Sequence, residues 1–257
     1  MGHQNTLCIG LDCGSSFCKG ALGLNGEIVG LASRPTGWDV AGSAALVKAE
    51  LLKGYDPKES LVRVVATGYG RELIKADKIV TEITCHAKGA ELLAPQTRLV
   101  LDIGGQDYKA IATLNGQVIS FQMNDKCAAG SGRFLEVILK RLEVDLSQLD
   151  EFLAAGQAIT LNSACVVFAE TEIIGLLASG VSRADILGGV VASLAQKIAS
   201  QAARLDPTGP AALTGGLAQN LGVAKALGQA LGLTVRPLLK GPYAGALGAA
   251  LIALDID

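Results

Sequence analysis

Short apolar runs and helically spaced stretches alternate along this chain. Residues 7–11 are an apolar run of the kind expected for a buried strand. The run ends at Asp12, and Gly14-Ser15-Ser16 predicts a tight turn after it. Residues 17–24 predict a second strand, Asn25-Gly26 a two-residue hairpin turn, and residues 27–32 a third strand. A helix is expected at 44–52 and a strand at 61–67, which runs into Gly68-Tyr69-Gly70. Residues 76–94 carry helical character around Cys85 and His86.

Near Pro95 the pattern restarts. Residues 98–103 are apolar but for Arg98 and Asp102, and Gly104-Gly105 follows. Strands are expected at 108–114 and 117–122, joined at Asn115-Gly116. A strand with a terminal aspartate, a glycine turn and an Asn-Gly hairpin therefore occur twice, which points to an internal duplication. Beyond the echo the spacing turns helical. Phe134, Leu135, Val137, Ile138 and Leu142 share one stripe, and Ile173, Ile174, Leu176 and Leu177 a second. Helices are also expected at 146–155, 186–205, 221–231 and 243–254. Short strands are expected at 211–213 and 234–237, and the first of these leads into Thr214-Gly215-Gly216.

Composition narrows the class. The 257 residues include 32 glycines, with 50% hydrophobic and 4% aromatic residues, which suits a closely packed α/β protein. A formal net charge of -2 supplies no basic field for nucleic acid or an anionic membrane. No apolar run approaches the roughly 18 residues expected of a membrane span. The first residues show no basic region followed by an apolar one, so a cytoplasmic location is expected. The six cysteines are accordingly expected as thiols or metal ligands and not as disulfides.

The candidate chemistry lies at the turns. Glycine at position 14 lets backbone N–H groups approach a phosphate, and Ser15 and Ser16 add donors. Asp12, at a strand end, is placed to hold a hydrated magnesium ion, which prefers carboxylate and water ligands. Cys127 precedes the small-residue turn Ala128-Ala129-Gly130-Ser131-Gly132, and Cys165 precedes the second helical stripe. Both are expected at helix starts, where the dipole favours negative charge. Two cysteines are too few for a four-cysteine iron–sulfur cluster, but a two-fold dimer would supply four. Cys8 and Cys18 are expected as small core residues, whereas Cys13 falls in the phosphate turn. Cys85 and His86 are adjacent, and neighbours on a helix point to different faces, so packing is the stronger expectation there.

Four blocks, in order, carry a resemblance that covers nearly the whole chain. They are Gly10-Leu11-Asp12-Cys13-Gly14-Ser15-Ser16, Asp102-Ile103-Gly104-Gly105-Gln106-Asp107, the stretch 124–136 with Cys127, and the stretch 162–172 with Cys165. Weaker blocks are 67–71, 81–87 and 214–216. Together they resemble the ATP-dependent activators (component A) of 2-hydroxyacyl-CoA dehydratases, relatives of the ATPase subunits of benzoyl-CoA reductase. The resemblance implies an α/β fold of the duplicated actin, Hsp70 and sugar-kinase (ribonuclease H-like) type, with two lobes around a nucleotide cleft. Residues 1–95 would form the first lobe, with the closing helix 243–255 packing back on it, and residues 96–242 the second. It further implies catalytic roles for Asp12, Asp102 and Gln106, the last orienting water. Nucleotide contacts are expected from Gly14, Ser15, Ser16, Lys19, Gly104, Gly105, Gly130, Gly132, Glu136, Gly215 and Gly216.

Cys127 and Cys165 of two copies would ligate one [4Fe-4S] cluster per homodimer, with ATP or ADP and Mg2+ as the other cofactors. The implied partners are a 2-hydroxyacyl-CoA dehydratase, a benzoyl-CoA reductase-like enzyme or another reductase component, with ferredoxin or flavodoxin as electron donor. Cys13 in the phosphate turn, and serine at 16 and 131 where threonine is also expected, depart from the pattern. The competing expectation is a small-molecule kinase or a nucleotide-dependent switch of the same superfamily.

Overall fold

The computed structural model describes residues 5–57, 60–124, 130–161 and 166–256. The chain divides into two compact units. One comprises residues 1–97, 113–119 and 240–257, and the other residues 98–112 and 120–239.

The first unit is built on a five-stranded sheet of β1 (Asn5–Cys13), β2 (Phe17–Leu24), β3 (Glu27–Pro35), β4 (Ser60–Thr67) and β5 (Lys78–Ile79), in the order β3-β2-β1-β4-β5. β1 is antiparallel to β2 and parallel to β4. The Asn25-Gly26 turn has φ of 50° and 97°, the left-handed pair that a two-residue hairpin demands. Among the described residues the α-helices of this unit are α1 (Val40–Leu51), α2 (Glu82–Leu93) and α8 (Ala244–Leu254).

β1 is buried on both faces, which explains its unbroken apolar run. Leu7, Ile9 and Leu11 pack in the cluster that holds Val47 and Leu51 of α1. Cys8 packs with Ala249 and Ile252 of α8. α8 approaches at backbone distance. A Cβ added to Gly10 would stand 2.0 Å from the Ala246 carbonyl oxygen, and one added to Gly248 1.9 Å from that of Cys85.

The second sheet repeats the first. Its strands are β6 (Leu99–Ile103), β7 (Tyr108–Leu114), β8 (Gln117–Asn124), β9 (Ala211–Gly215) and β10 (Val235–Pro237), in the order β10-β9-β6-β7-β8. β6 is antiparallel to β7 and parallel to β9, as β1 is to β2 and β4. Asn115 and Gly116 repeat the left-handed hairpin turn with φ of 51° and 72°. The core joins Leu99, Leu101 and Ile103 of β6 to α3 (Gly132–Arg141), α6 (Arg183–Ala202) and α7 (Leu221–Leu231). α4 (Leu149–Ala155) and α5 (Val166–Ala178) belong to the same unit. Side-chain caps start several helices: Ser182 accepts from the Asp185 amide at α6, and Asn220 from that of Val223 at α7.

Two expectations change. Residues 76–94 are not one helix. Lys78–Ile79 pairs in parallel with Val65 and Ala66, and α2 starts only at Glu82, where Thr81 caps it by accepting from the Thr84 amide. The cysteines are not all thiols. Cys13 and Cys18 form a disulfide with a Cα–Cα separation of 3.9 Å. The cause lies in the register: the hairpin sets Cys13 directly opposite Cys18, with the Gly14-Ser15-Ser16 turn between them. Cys8 and Cys85 are free and buried, as expected.

Candidate functional site

Each sheet presents one aspartate at the end of its central strand. In the first unit Asp12 lies opposite Lys19 on β2 and in register with Thr67 on β4. In the second, Asp102 lies opposite Lys109 on β7 and in register with Thr214 on β9. The threonine is followed in both cases by a glycine of positive φ, 89° at Gly68 and 82° at Gly215. Only glycine adopts that conformation without cost, and its missing side chain leaves room for the carboxylate. A Cβ on Gly68 would lie 2.6 Å from Asp12 Oδ1, and one on Gly215 2.7 Å from Asp102 Oδ1.

The turns after the two aspartates also match. The Gly14 amide donates to the Phe17 carbonyl at 3.0 Å, and the Gly104 amide to that of Asp107 at 2.9 Å. The first turn is tied down by Thr36, whose hydroxyl donates to the Gly14 carbonyl at 2.8 Å and whose amide donates to that of Ser16 at 2.9 Å. Ser15 is half-buried and Ser16 exposed beside it.

The half-sites differ in how their carboxylates are used. Asp12 is 5% exposed, and its Oδ2 lies 3.8 Å from His86 Nε2. On its other flank, a Cβ on Gly245 of α8 would stand 2.4 Å from Oδ2, so two glycine backbones hold the carboxylate. Lys19 is half-buried and has no hydrogen bond or ion pair with any described residue. Asp102, 3% exposed, is bound from both sides. Thr214 Oγ1 donates to its Oδ1 at 3.0 Å, and Lys109 Nζ lies 3.4 Å from its Oδ2. The same ammonium, on a side chain 1% exposed, donates to Asp107 at 2.8 Å.

α3 closes the second half-site. Its Gly132 amide donates to the Gly104 carbonyl at 2.8 Å, and its Arg133 amide to that of Gly105 at 2.9 Å. These two helix-start donors are therefore taken by the Gly104-Gly105 turn. Gly130, with φ of 98°, lies against Tyr108, where a Cβ would meet the ring at 2.7 Å. A cavity of about 430 Å³ opens between α3 and the turn after β9, lined by Gly132, Leu135, Glu136, Lys140 and Leu217. Glu136 is exposed there and pairs with Arg133 at 3.0 Å, while Gly216 donates its amide to the Ile103 carbonyl at 3.0 Å. Gln106 is exposed at the tip of the second turn.

Cys85 and His86 separate as adjacent helical residues should. Cys85 packs with Cys8 and Val65, and burial pushes its thiol up to about 12, which keeps it protonated and no metal ligand. His86 turns instead towards Asp12. Cys127 and Cys165 lie outside the described residues. Among the described residues no group of three or more His, Cys, Asp and Glu is placed to hold a metal ion. Magnesium does not need one, since it keeps several waters and a carboxylate such as that of Asp12 suits it. Lys109, Gly68 and Gly245 were not foreseen as site residues. A signal for the first was present, because an aspartate followed seven positions later by lysine occurs at both Asp12 and Asp102.

The chain is 41% identical over 249 residues to the (R)-2-hydroxyglutaryl-CoA dehydratase activating ATPase of Acidaminococcus fermentans, covering 95% of this chain and 96% of that one. Among solved structures, the activator of the 2-hydroxyisocaproyl-CoA dehydratase from Clostridium difficile, with bound ADPNP, superposes with a TM-score of 0.91 at 37% identity, over 97% of this chain and 95% of that one. A ROK family glucokinase from Streptomyces griseus shares the fold alone, with a TM-score of 0.60 and 15% identity over 97% of this chain and 100% of that one. The duplicated sheets are thus the actin and sugar-kinase type of α/β fold, as expected. Residues 9–253 match one family throughout, and with both aspartate half-sites inside that span the chain belongs to the BadF/BadG/BcrA/BcrD ATPase family.

Proposed function

We propose that this chain is the ATP-hydrolysing activator of a 2-hydroxyacyl-CoA dehydratase or a related reductase such as a benzoyl-CoA reductase, and that it works as a homodimer. The observation that supports this most is that both cysteine stretches lead into described helices, Cys127 into α3 at Gly132 and Cys165 into α5 at Val166, in a chain matched to this ATPase family over residues 9–253. Cys127 and Cys165 of the two copies would ligate one [4Fe-4S] cluster. Held there, the cluster supplies a single low-potential electron, taken from a ferredoxin or flavodoxin.

The remaining work falls to the chain itself. Gly14, Ser15 and Ser16 in the first turn, and Gly104 and Gly105 in the second, bind phosphate through backbone amides and hydroxyls. Lys19, whose ammonium engages no described residue, reaches the phosphates. Asp12 holds hydrated magnesium. Gln106, exposed at its turn, orients the attacking water. The cavity lined by Glu136 and by Leu217, which follows the Gly215-Gly216 turn, takes the adenosine, with Gly132 letting the backbone come close. ATP drives the electron transfer only if it binds the transferring conformation better than the other, since a ligand shifts an equilibrium through differential affinity alone.

The test is anaerobic purification with iron, sulfide and visible absorption measured per dimer, repeated for Cys127→Ala and Cys165→Ala. A brown dimer with about four irons, bleached by dithionite and colourless in either variant, is expected. A colourless monomer that hydrolyses ATP only with a small-molecule acceptor would overturn the reading in favour of a kinase.

A further inference from the structure

The two half-sites share one frame but not one electrostatic state. Both set a lysine across from the strand-end aspartate, Lys19 at Asp12 and Lys109 at Asp102. Lys19 is half-buried and engages no described residue. Lys109 is 1% exposed, and its ammonium bridges Asp102 at 3.4 Å and Asp107 at 2.8 Å. The other oxygen of Asp102 accepts from Thr214 at 3.0 Å. A buried ammonium is tolerated only with such partners, and a carboxylate held by an ammonium and a hydroxyl gains little from a metal ion.

From this asymmetry we propose that Lys109 is a fixed internal counter-ion of the second phosphate turn, so that the divalent cation's carboxylate is Asp12 and not Asp102. Asp102 is then a positioning residue. It joins β6 to the Thr214-Gly215 turn on one side, and through Lys109 it holds Asp107, whose carbonyl closes the turn on the Gly104 amide. The catalytic roles that the family resemblance implies for both aspartates thereby become a division of labour: the Asp12 half takes the metal, and the Asp102 half is pre-set by the protein's own cation. The inference rests on the nucleotide reading above.

The experiment is calorimetric titration of ADP into the purified chain with and without Mg2+, which yields the factor by which magnesium tightens ADP. That factor should fall by about tenfold or more in Asp12→Asn, and stay within about twofold of wild type in Asp102→Asn. In Lys109→Met, where two neighbouring carboxylates lose their cation, it should rise by about threefold or more as the divalent ion takes over the neutralisation. A purely structural lysine would change stability and leave the factor alone. A collapse of the factor in Asp102→Asn as large as in Asp12→Asn, or an unchanged factor in folded Lys109→Met, overturns the proposal and leaves nucleotide binding standing. Should Lys109→Met fail to fold, the two aspartate variants decide. No ADP binding by the wild type with Mg2+ would instead bring down the nucleotide reading itself.

Discussion

Gly245→Ala tests the seating of the Asp12 carboxylate without altering a charged group. The new Cβ would stand 2.4 Å from Oδ2 and 2.9 Å from His86 Nε2, against an ordinary van der Waals contact of 3.4 Å or more. The carboxylate therefore has to retreat by about 1 Å. Its other side is closed, because Oδ1 already lies against the backbone of Gly68. A displacement of that size in a catalytic group costs on the order of 10²-fold in turnover. Overpacking of this kind costs about 1–3 kcal/mol of stability. The alanine recovers little of it, since position 245 lies in the first turn of α8, where helix propensity counts least. The assay is steady-state ATP hydrolysis across a magnesium titration, alongside thermal unfolding. Gly175→Ala on α5 is the matched control: its Cβ meets nothing within 4 Å, so turnover should hold and stability rise by up to about 1 kcal/mol. If Gly245→Ala turned over ATP at the wild-type rate with the wild-type magnesium requirement, the carboxylate's position would not matter to the reaction.

Other outcomes follow from the same structure. Alkylation of the unfolded, unreduced chain should spare Cys13 and Cys18 and label Cys8 and Cys85, as read by mass spectrometry; labelling of Cys13 and Cys18 without reductant would contradict the disulfide. Cys85, pushed to about 12 by burial from an ordinary 9.0, remains protonated in the folded chain above the pH at which the unfolded chain loses that proton. Its contribution to stability is thus complete below pH ~9 and declines by about 1.4 kcal/mol per pH unit towards pH ~12. Denaturant titrations at pH 8.5 and 10 should show this decline, and Cys85→Ala should flatten it. Thr214→Val keeps the shape but removes the donor to Asp102, and should cost about 1–3 kcal/mol and weaken ADP binding; an unchanged melting temperature and affinity would show the bond to be dispensable.

Local signals were enough for much of the fold. The paired φ values at Asn25-Gly26 and Asn115-Gly116 are what such dipeptides demand, and with the strand-end aspartates they made the duplication visible from residue types alone. What stayed hidden depends on pairing between distant strands. Thr67 stands beside Asp12, and Thr214 beside Asp102, only because β4 and β9 align in parallel with strands far back in the chain. No periodicity encodes that register. The Cys13–Cys18 bond was missed for a related reason: an inference from cellular compartment was set against a five-residue spacing whose meaning appears only once the hairpin is in register. Lys78–Ile79 leaves no trace in the sequence, because two residues carry no period and a neighbouring strand decides their state.

α8 bears on how the chain is made as well as on how it is packed. Gly10 and Gly248 both lie at the backbone contacts that α8 makes, so β1 keeps one face uncovered until residues 244–254 arrive. A ribosome delivers the whole stretch 120–239 of the second unit before it delivers residues 244–254. The half that is synthesised first is therefore the half that can finish folding last, with its small-residue strand face exposed in the interval. A nascent chain stalled before Ala244 would carry the Asp12 carboxylate without the Gly245 backbone that helps to seat it.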